Sequence, residues 1–215
     1  MNGSASVDSA VLRVIDAACI VRRFRIFSGL TFEVRAGERV HLGGPNGSGK
    51  TTVLRCVGGT MTLRRGRIRV GGDPPGTARA KRLIGLCINP EQGLHPHLSG
   101  HENLVFAARL RMPSCDVEAA VEEVEDELAI GEFAARPARD YSAGMRARVA
   151  VARALLDRPR LLLIDEPTRS LDAEGRSLFW AALDRRPDAA CLIASHLPDD
   201  LSRCDRSVDL PGHPS

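Results

Sequence analysis

Gly44-Pro45-Asn46-Gly47-Ser48-Gly49-Lys50-Thr51 sets the architecture of the chain. The eight residues fit G-x-x-x-x-G-K-[ST], a loop that cradles polyphosphate. Before it, Glu38-Arg39-Val40-His41-Leu42 reads as a short strand. After it, Thr52-Val53-Leu54-Arg55-Cys56-Val57 reads as the opening of a helix, stopped by Gly58-Gly59. Glycines let the chain curl until successive N–H groups point inward. The helix N-terminus adds its partial positive charge beneath the phosphates. Lys50 is placed to reach the β- and γ-phosphates, and the Thr51 hydroxyl to ligate Mg²⁺. Gly44 through Thr52 are therefore the expected phosphate-binding residues. Lys81 is the only other lysine in a chain that otherwise uses arginine, so a compact point charge suits position 50.

Composition bounds what surrounds this loop. At 215 residues the chain suits one α/β domain, or one with a modest inserted lobe. Hydrophobic residues at 43% and charged ones at 27% are ordinary for a soluble globular protein. A net charge of +3 is too small to argue for a nucleic-acid groove, and no nucleic-acid partner is expected. No run approaches the roughly 20 apolar residues that span a bilayer. Met1 to Asp8 lacks a positive n-region ahead of an apolar stretch, so no export signal is expected and the chain is placed in the cytosol. Cys19, Cys56, Cys87, Cys115, Cys191 and Cys204 form no C-x-x-C pair and read as small apolar residues.

Taken in order, the chain divides into three segments after a flexible N-terminus at 1–9. Val11 to Val21 and Leu30 to Val34 read as strands, Arg67-Ile68-Arg69-Val70 as a half-exposed edge strand, and Leu83 to Ile88 as another strand. These belong to a core over 10–88 and 145–215. A helical subdomain is expected at about 89–144, within a single domain spanning 10–215. In it, Glu102 to Leu110 is a helix candidate, and Ser114 or Asp116 could cap a second helix with Val117, Val121, Val124 and Leu128 on one face. Its other face carries Glu118, Glu122, Glu123, Glu125, Asp126 and Glu127, read as solvated. From Tyr141 the α/β alternation resumes. Gly144 to Leu156 forms a helix, Leu161 to Ile164 and Ala190 to Ala194 form strands buried on both faces, and Phe179 to Leu183 lies on a helix between them.

The remaining chemistry sits at strand ends. Asp165 and Glu166 follow a buried strand directly, and strand C-termini of a parallel sheet form the ligand crevice. Asp165 is placed to hold Mg²⁺. Glu166 is placed to polarise the water that attacks the γ-phosphate. Ser195-His196 ends the next buried strand, which puts the histidine in the same crevice for a γ-phosphate role.

Over Ala10 to Leu210 the motifs resemble those of the ATP-binding subunits of ABC transporters. Tyr141-Ser142-Ala143-Gly144-Met145 resembles the signature motif usually written LSGGQ. Asp165-Glu166-Pro167-Thr168 resembles the Walker B segment with its catalytic glutamate, Ser170-Leu171-Asp172 the D-loop, and His196 the switch histidine. The resemblance implies a P-loop NTPase with a RecA-like core, an antiparallel β region and an inserted α-helical subdomain. It implies ATP and Mg²⁺ as ligands. It also implies a second ATPase subunit, in a homo- or heterodimer where Ser142 and the Gly144 N–H grip a γ-phosphate in trans, and a transmembrane permease that holds the chain on the inner face of the cell membrane. Phe27 to Phe32 is similar to the ATPases of haem exporters; the Y-S-x-G-M-R form of the signature is closer to exporters of drugs, polysaccharides or antibiotics. Export is the expected direction.

The sequence departs from the family pattern in places. Ala143 replaces the usual glycine and Met145 the usual glutamine, leaving the serine and second glycine intact. The Q-loop falls within Ile88 to Gly93, with Asn89 and Gln92 both candidates. Phe24 is the candidate for stacking adenine, with a core role as its alternative. His95, His97 and His101, placed in a loop, read as a surface for a membrane partner and not as metal ligands. Two other functions stay open: a soluble ABC ATPase acting on ribosomes or DNA, and a nucleotide-binding partner of low turnover.

Overall fold

The computed structural model describes residues 10–89, 93–112 and 116–210. The Gln92 and Ser114 candidates lie outside the described residues. A long antiparallel hairpin comes first, β1 (Ala10–Val21) and β2 (Phe24–Arg35), and β3 (Arg39–Gly43) leads into the phosphate loop. Helix α1 (Lys50–Val57) leaves that loop, β4 (Arg65–Val70) returns to pair with β1, and α2 (Ala78–Leu83) leads into β5 (Ile84–Cys87). Two helices follow, α3 (Gly100–Arg111) and α4 (Val117–Glu127). The chain then runs through α5 (Ala143–Leu155), β6 (Leu161–Asp165), α6 (Ala173–Asp184) and β7 (Ala190–Ala194), ending in a single turn α7 (Pro198–Leu201) and β8 (Arg206–Asp209).

The strands sort into two sheets. One is antiparallel, in the order β2-β1-β4; the other runs β5-β6-β7-β3-β8, with every recorded pairing parallel. Parallel register brings the strand C-termini to one edge, with Cys87 beside Ile164 and Asp165 beside Ala194. That edge is where an open parallel sheet binds ligands.

Burial on both faces explains the unbroken apolar runs of β6 and β7, whose ten residues are all buried. Alternate residues serve different cores. Leu161, Leu163, Ala190 and Leu192 pack with α1 and the antiparallel sheet, including Leu12, Val14 and Leu54. Leu162, Ile164, Cys191 and Ile193 pack toward the helices, in one cluster with Leu104, Val121, Val149, Phe179 and Trp180. The α3–α4 lobe therefore shares its core with α5, α6 and one face of the parallel sheet.

Several elements differ from expectation. Helix α2 has no apolar face that could announce it: only Ala80 is buried, and Thr77 caps the helix by accepting from Ala80 N–H at 3.3 Å. The β1–β2 turn puts Arg22 and Arg23 at φ 47° and 77°, the left-handed pair that matches hairpin twist. The acidic face of α4 is not solvated throughout. Glu125 and Glu127 are buried, because His101 Nδ1 lies 3.2 Å from Glu125 and the Arg186 guanidinium donates to Glu127 at 2.7 Å. His101 itself belongs to α3 and not to a loop.

Candidate active site

The loop after β3 closes on itself. Ser48 N–H donates to Pro45 O at 3.2 Å, and Gly49 takes φ 101° at the N-cap of α1. A Cβ at Gly49 would stand 2.6 Å from the Ile26 side chain, so this approach requires glycine. Lys50 is only 7% exposed, and its Nζ donates to Gly44 O at 2.7 Å and Pro45 O at 3.1 Å. An ammonium group held by two neutral carbonyls at a helix N-terminus fits an anion site. Ser48 Oγ is likewise buried and has no hydrogen-bond partner among the described residues. Both observations fit a phosphate chain lying in the loop.

Across the crevice, the Thr51 hydroxyl donates to Asp165 Oδ2 at 2.6 Å. A hydroxyl and a carboxylate are hard oxygen donors, the set that suits Mg²⁺. Glu166 Oε1 lies 3.5 Å from His196 Nε2, and the Glu166 N–H donates to Ala194 O at 2.8 Å. Glu166 sits at φ 49°, a left-handed backbone that a non-glycine residue keeps only when its surroundings hold it. Asn89, at φ 51°, lines the same cavity of about 670 Å³, as do Ile26, Thr52 and Arg169.

A second hollow of about 600 Å³ opens where α5 begins. Ser142 caps α5 by accepting from Met145 N–H at 3.2 Å, and Ala143, Gly144 and Met145 line the hollow. Leu171 and Asp172 form its other wall, and Ser170 lines both this hollow and the crevice. Asp172 accepts from Gly175 N–H at 2.7 Å as the cap of α6. That hydrogen bond from the Gly175 N–H, with Arg148 nearby, holds its carboxyl below the usual carboxylate range.

A family model described as ABC transporter matches residues 27–169. The chain belongs to the ABC transporter family. A Nod factor export ATP-binding protein of Rhizobium meliloti is 34% identical over 200 residues, covering 89% of this chain and 60% of that protein. An sn-glycerol-3-phosphate import ATP-binding protein of Rhodopseudomonas palustris is 38% identical over 178 residues, covering 80% of this chain and 49% of that protein. The chain thus spans about half to 60% of the length of these curated relatives. A solved ATP binding subunit of an ABC transporter superposes with a TM-score of 0.84 at 28% identity, covering 93% of this chain and 85% of that one. The fold is that of an ABC ATP-binding domain, with its parallel sheet, antiparallel sheet and helices.

Within this ABC domain the geometry sorts the residues singled out by sequence. Lys50, Thr51, Asp165, Glu166 and His196 meet in one crevice, while the Ser142 stretch faces the other hollow. Gly44 and Pro45 give their carbonyls to Lys50. Tyr141 does not line the second hollow. Its buried hydroxyl accepts from Gly100 N–H at 2.8 Å and donates to Phe133 O at 3.0 Å, so the ring fastens the lobe. Phe24 is 75% exposed at the hairpin end, which removes its core alternative, and Ile26 is the β2 side chain that lines the crevice. His95 meets the edge of Phe106, and His97 Nδ1 lies 3.4 Å from Arg139. Ile26 and Arg169 were not singled out by sequence; Arg169 directly follows Asp165-Glu166-Pro167-Thr168, and that adjacency was the available signal.

Proposed function

We propose that this chain binds and hydrolyses ATP as the cytoplasmic subunit of a membrane exporter, working as a pair of ATPase chains on a separate transmembrane permease. The observation that carries the reading is the convergence of Lys50, Thr51–Asp165 and Glu166–His196 at the carboxyl edge of one parallel sheet. Lys50 and the loop amides hold the β- and γ-phosphates. Thr51 and Asp165 hold Mg²⁺, which supplies neutralising charge at the phosphate oxygens. Glu166 orients and polarises the attacking water, and His196 braces the γ-phosphate.

Two chains are proposed because Ser142 and Gly144 line a second hollow and not the one that Lys50 lines. In a head-to-tail pair, Ser142 and the Gly144 N–H of one chain face the γ-phosphate held by the other. Closure on ATP and release after hydrolysis supply the motion that drives transport. A separate permease is supported by the relatives' description as ATP-binding proteins, and no helix among the described residues is long and apolar enough to cross a membrane. The Nod factor relative supports export, whereas the sn-glycerol-3-phosphate relative, an import protein, supports the transporter role alone.

The test is ATP binding and phosphate release by the purified chain with Mg²⁺. Lys50→Ala should lose nucleotide affinity, and Glu166→Gln should bind ATP yet release no phosphate. Normal turnover in both variants would overturn the reading. Copurification with a polytopic membrane protein tests the partner.

A further inference from the structure

Behind the Glu166–His196 pair lies a carboxyl that the proposed chemistry does not use. Asp200, on the single turn α7, is 1% exposed. Its Oδ2 accepts from the Thr168 hydroxyl and from the Ser195 hydroxyl, both at 2.6 Å, and its Oδ1 has no partner among the described residues. Thr168 and Ser195 are themselves buried. Thr168 closes the segment that begins Asp165-Glu166, and Ser195 directly precedes His196. Asp200 therefore bridges the two loops that carry the reacting pair. Ser195 is pinned twice more: His41 Nε2 lies 2.9 Å from its carbonyl, and its Oγ accepts from Leu197 N–H at 3.1 Å.

A carboxyl this deep is costly to desolvate, and leaving one oxygen unpartnered adds to that cost. Packing alone would be served better by an apolar side chain of similar volume. The left-handed backbone of Glu166 is a second, separate cost, and it persists only where neighbours over-determine it. Two fixed points meet that need: the Ala194 carbonyl on the Glu166 amide and the Asp200 carboxyl on Thr168.

We propose that Asp200 is a positioning residue for hydrolysis, a buried bridge that keeps Glu166 and His196 in register across the two strand ends. The bridge acts on the orientation of both side chains and leaves the phosphate loop alone. This inference rests on the roles given above to Glu166 and His196.

The experiment compares Asp200→Ala, Asp200→Asn, Thr168→Val and Ser195→Ala with the wild type, measuring kcat, KM, ATP affinity and thermal midpoint. Asp200→Ala should lower kcat on the order of a hundredfold, the scale set by a misplacement of about 1 Å. Its ATP affinity should stay within about twofold, since Lys50 and the loop amides are untouched. Asp200→Asn keeps an acceptor oxygen and should recover most of the rate. Thr168→Val and Ser195→Ala should each slow turnover, and neither should slow it further on top of Asp200→Ala, because one bridge is being cut. An unchanged kcat in Asp200→Ala would overturn the proposal. So would a parallel fall of kcat, affinity and thermal midpoint across the set, the mark of a merely structural role. Should Asp200→Ala fail to fold, unchanged turnover in both hydroxyl variants overturns it equally. Equal turnover by wild type and Glu166→Gln would instead count against the function proposed for the site.

Discussion

Arg169 shows what a single residue can add to this site. Its exposed side chain lines the crevice with Lys50, Glu166 and His196, and it has no side-chain partner among the described residues. A cation there gains most from a third phosphate. Arg169→Ala should therefore weaken ATP about tenfold and ADP far less, the scale of one charge-assisted hydrogen bond. Nucleotide titrations of wild type and variant check this, and equal losses for ATP and ADP would refute it. The cysteines make the opposite point. Burial pushes the Cys56, Cys87 and Cys191 thiols up to about 12, so they stay protonated at neutral pH. An alkylating reagent at mildly alkaline pH should leave these three unmodified in the folded protein and label them once it is unfolded in urea; mass spectrometry reads the difference. Lys50, Asp165 and Glu166 were legible in the sequence because loop and strand-end motifs fix their surroundings locally. Ile26 and Asp200 were not, since each reaches the site from an element outside those motifs.

At the scale of elements, the helical lobe is held by a pair that composition hides. Glu127 and Arg186 have side chains 7% and 8% exposed, and they join the end of α4 to the region just after α6. Removing Arg186 leaves the buried Glu127 only the exposed Arg185, 3.8 Å away, so Arg186→Ala should cost about 3 kcal/mol, the low end for a broken buried pair. Urea unfolding measures it, and the double change Glu127→Leu with Arg186→Met should recover much of the loss. Caps carry less weight. Asp116 accepts from Ala119 N–H at 3.2 Å, and Asp116→Ala should cost about 1 kcal/mol in the same assay. The apolar face of α4 follows from spacing, with Val121, Val124 and the C-cap Leu128 buried and Val117 half-buried. The fate of its acids did not follow, because His101 stands 24 residues from Glu125 and Arg186 stands 59 from Glu127.

At the scale of the whole molecule, the Lys50 crevice and the Ser142 hollow are lined by different stretches of one chain and share only Ser170. If two chains complete each site, a mixture of Lys50→Ala and Ser142→Arg proteins should regain hydrolysis that neither shows alone, since one of the two sites in each mixed pair is intact. Continued inactivity of the mixture would argue against a shared site. Local pattern was enough to specify the phosphate loop, the carboxylates at a strand end and the buried parallel strands. These depend on short-range spacing, on side-chain size and on the need to bury long apolar runs. Tertiary packing chose what lies opposite what: Thr51 against Asp165, Glu166 against His196, and Asp200 beneath both loops. Those meetings depend on the order β5-β6-β7-β3-β8, which places segments remote in sequence side by side through long crossovers that no local pattern records.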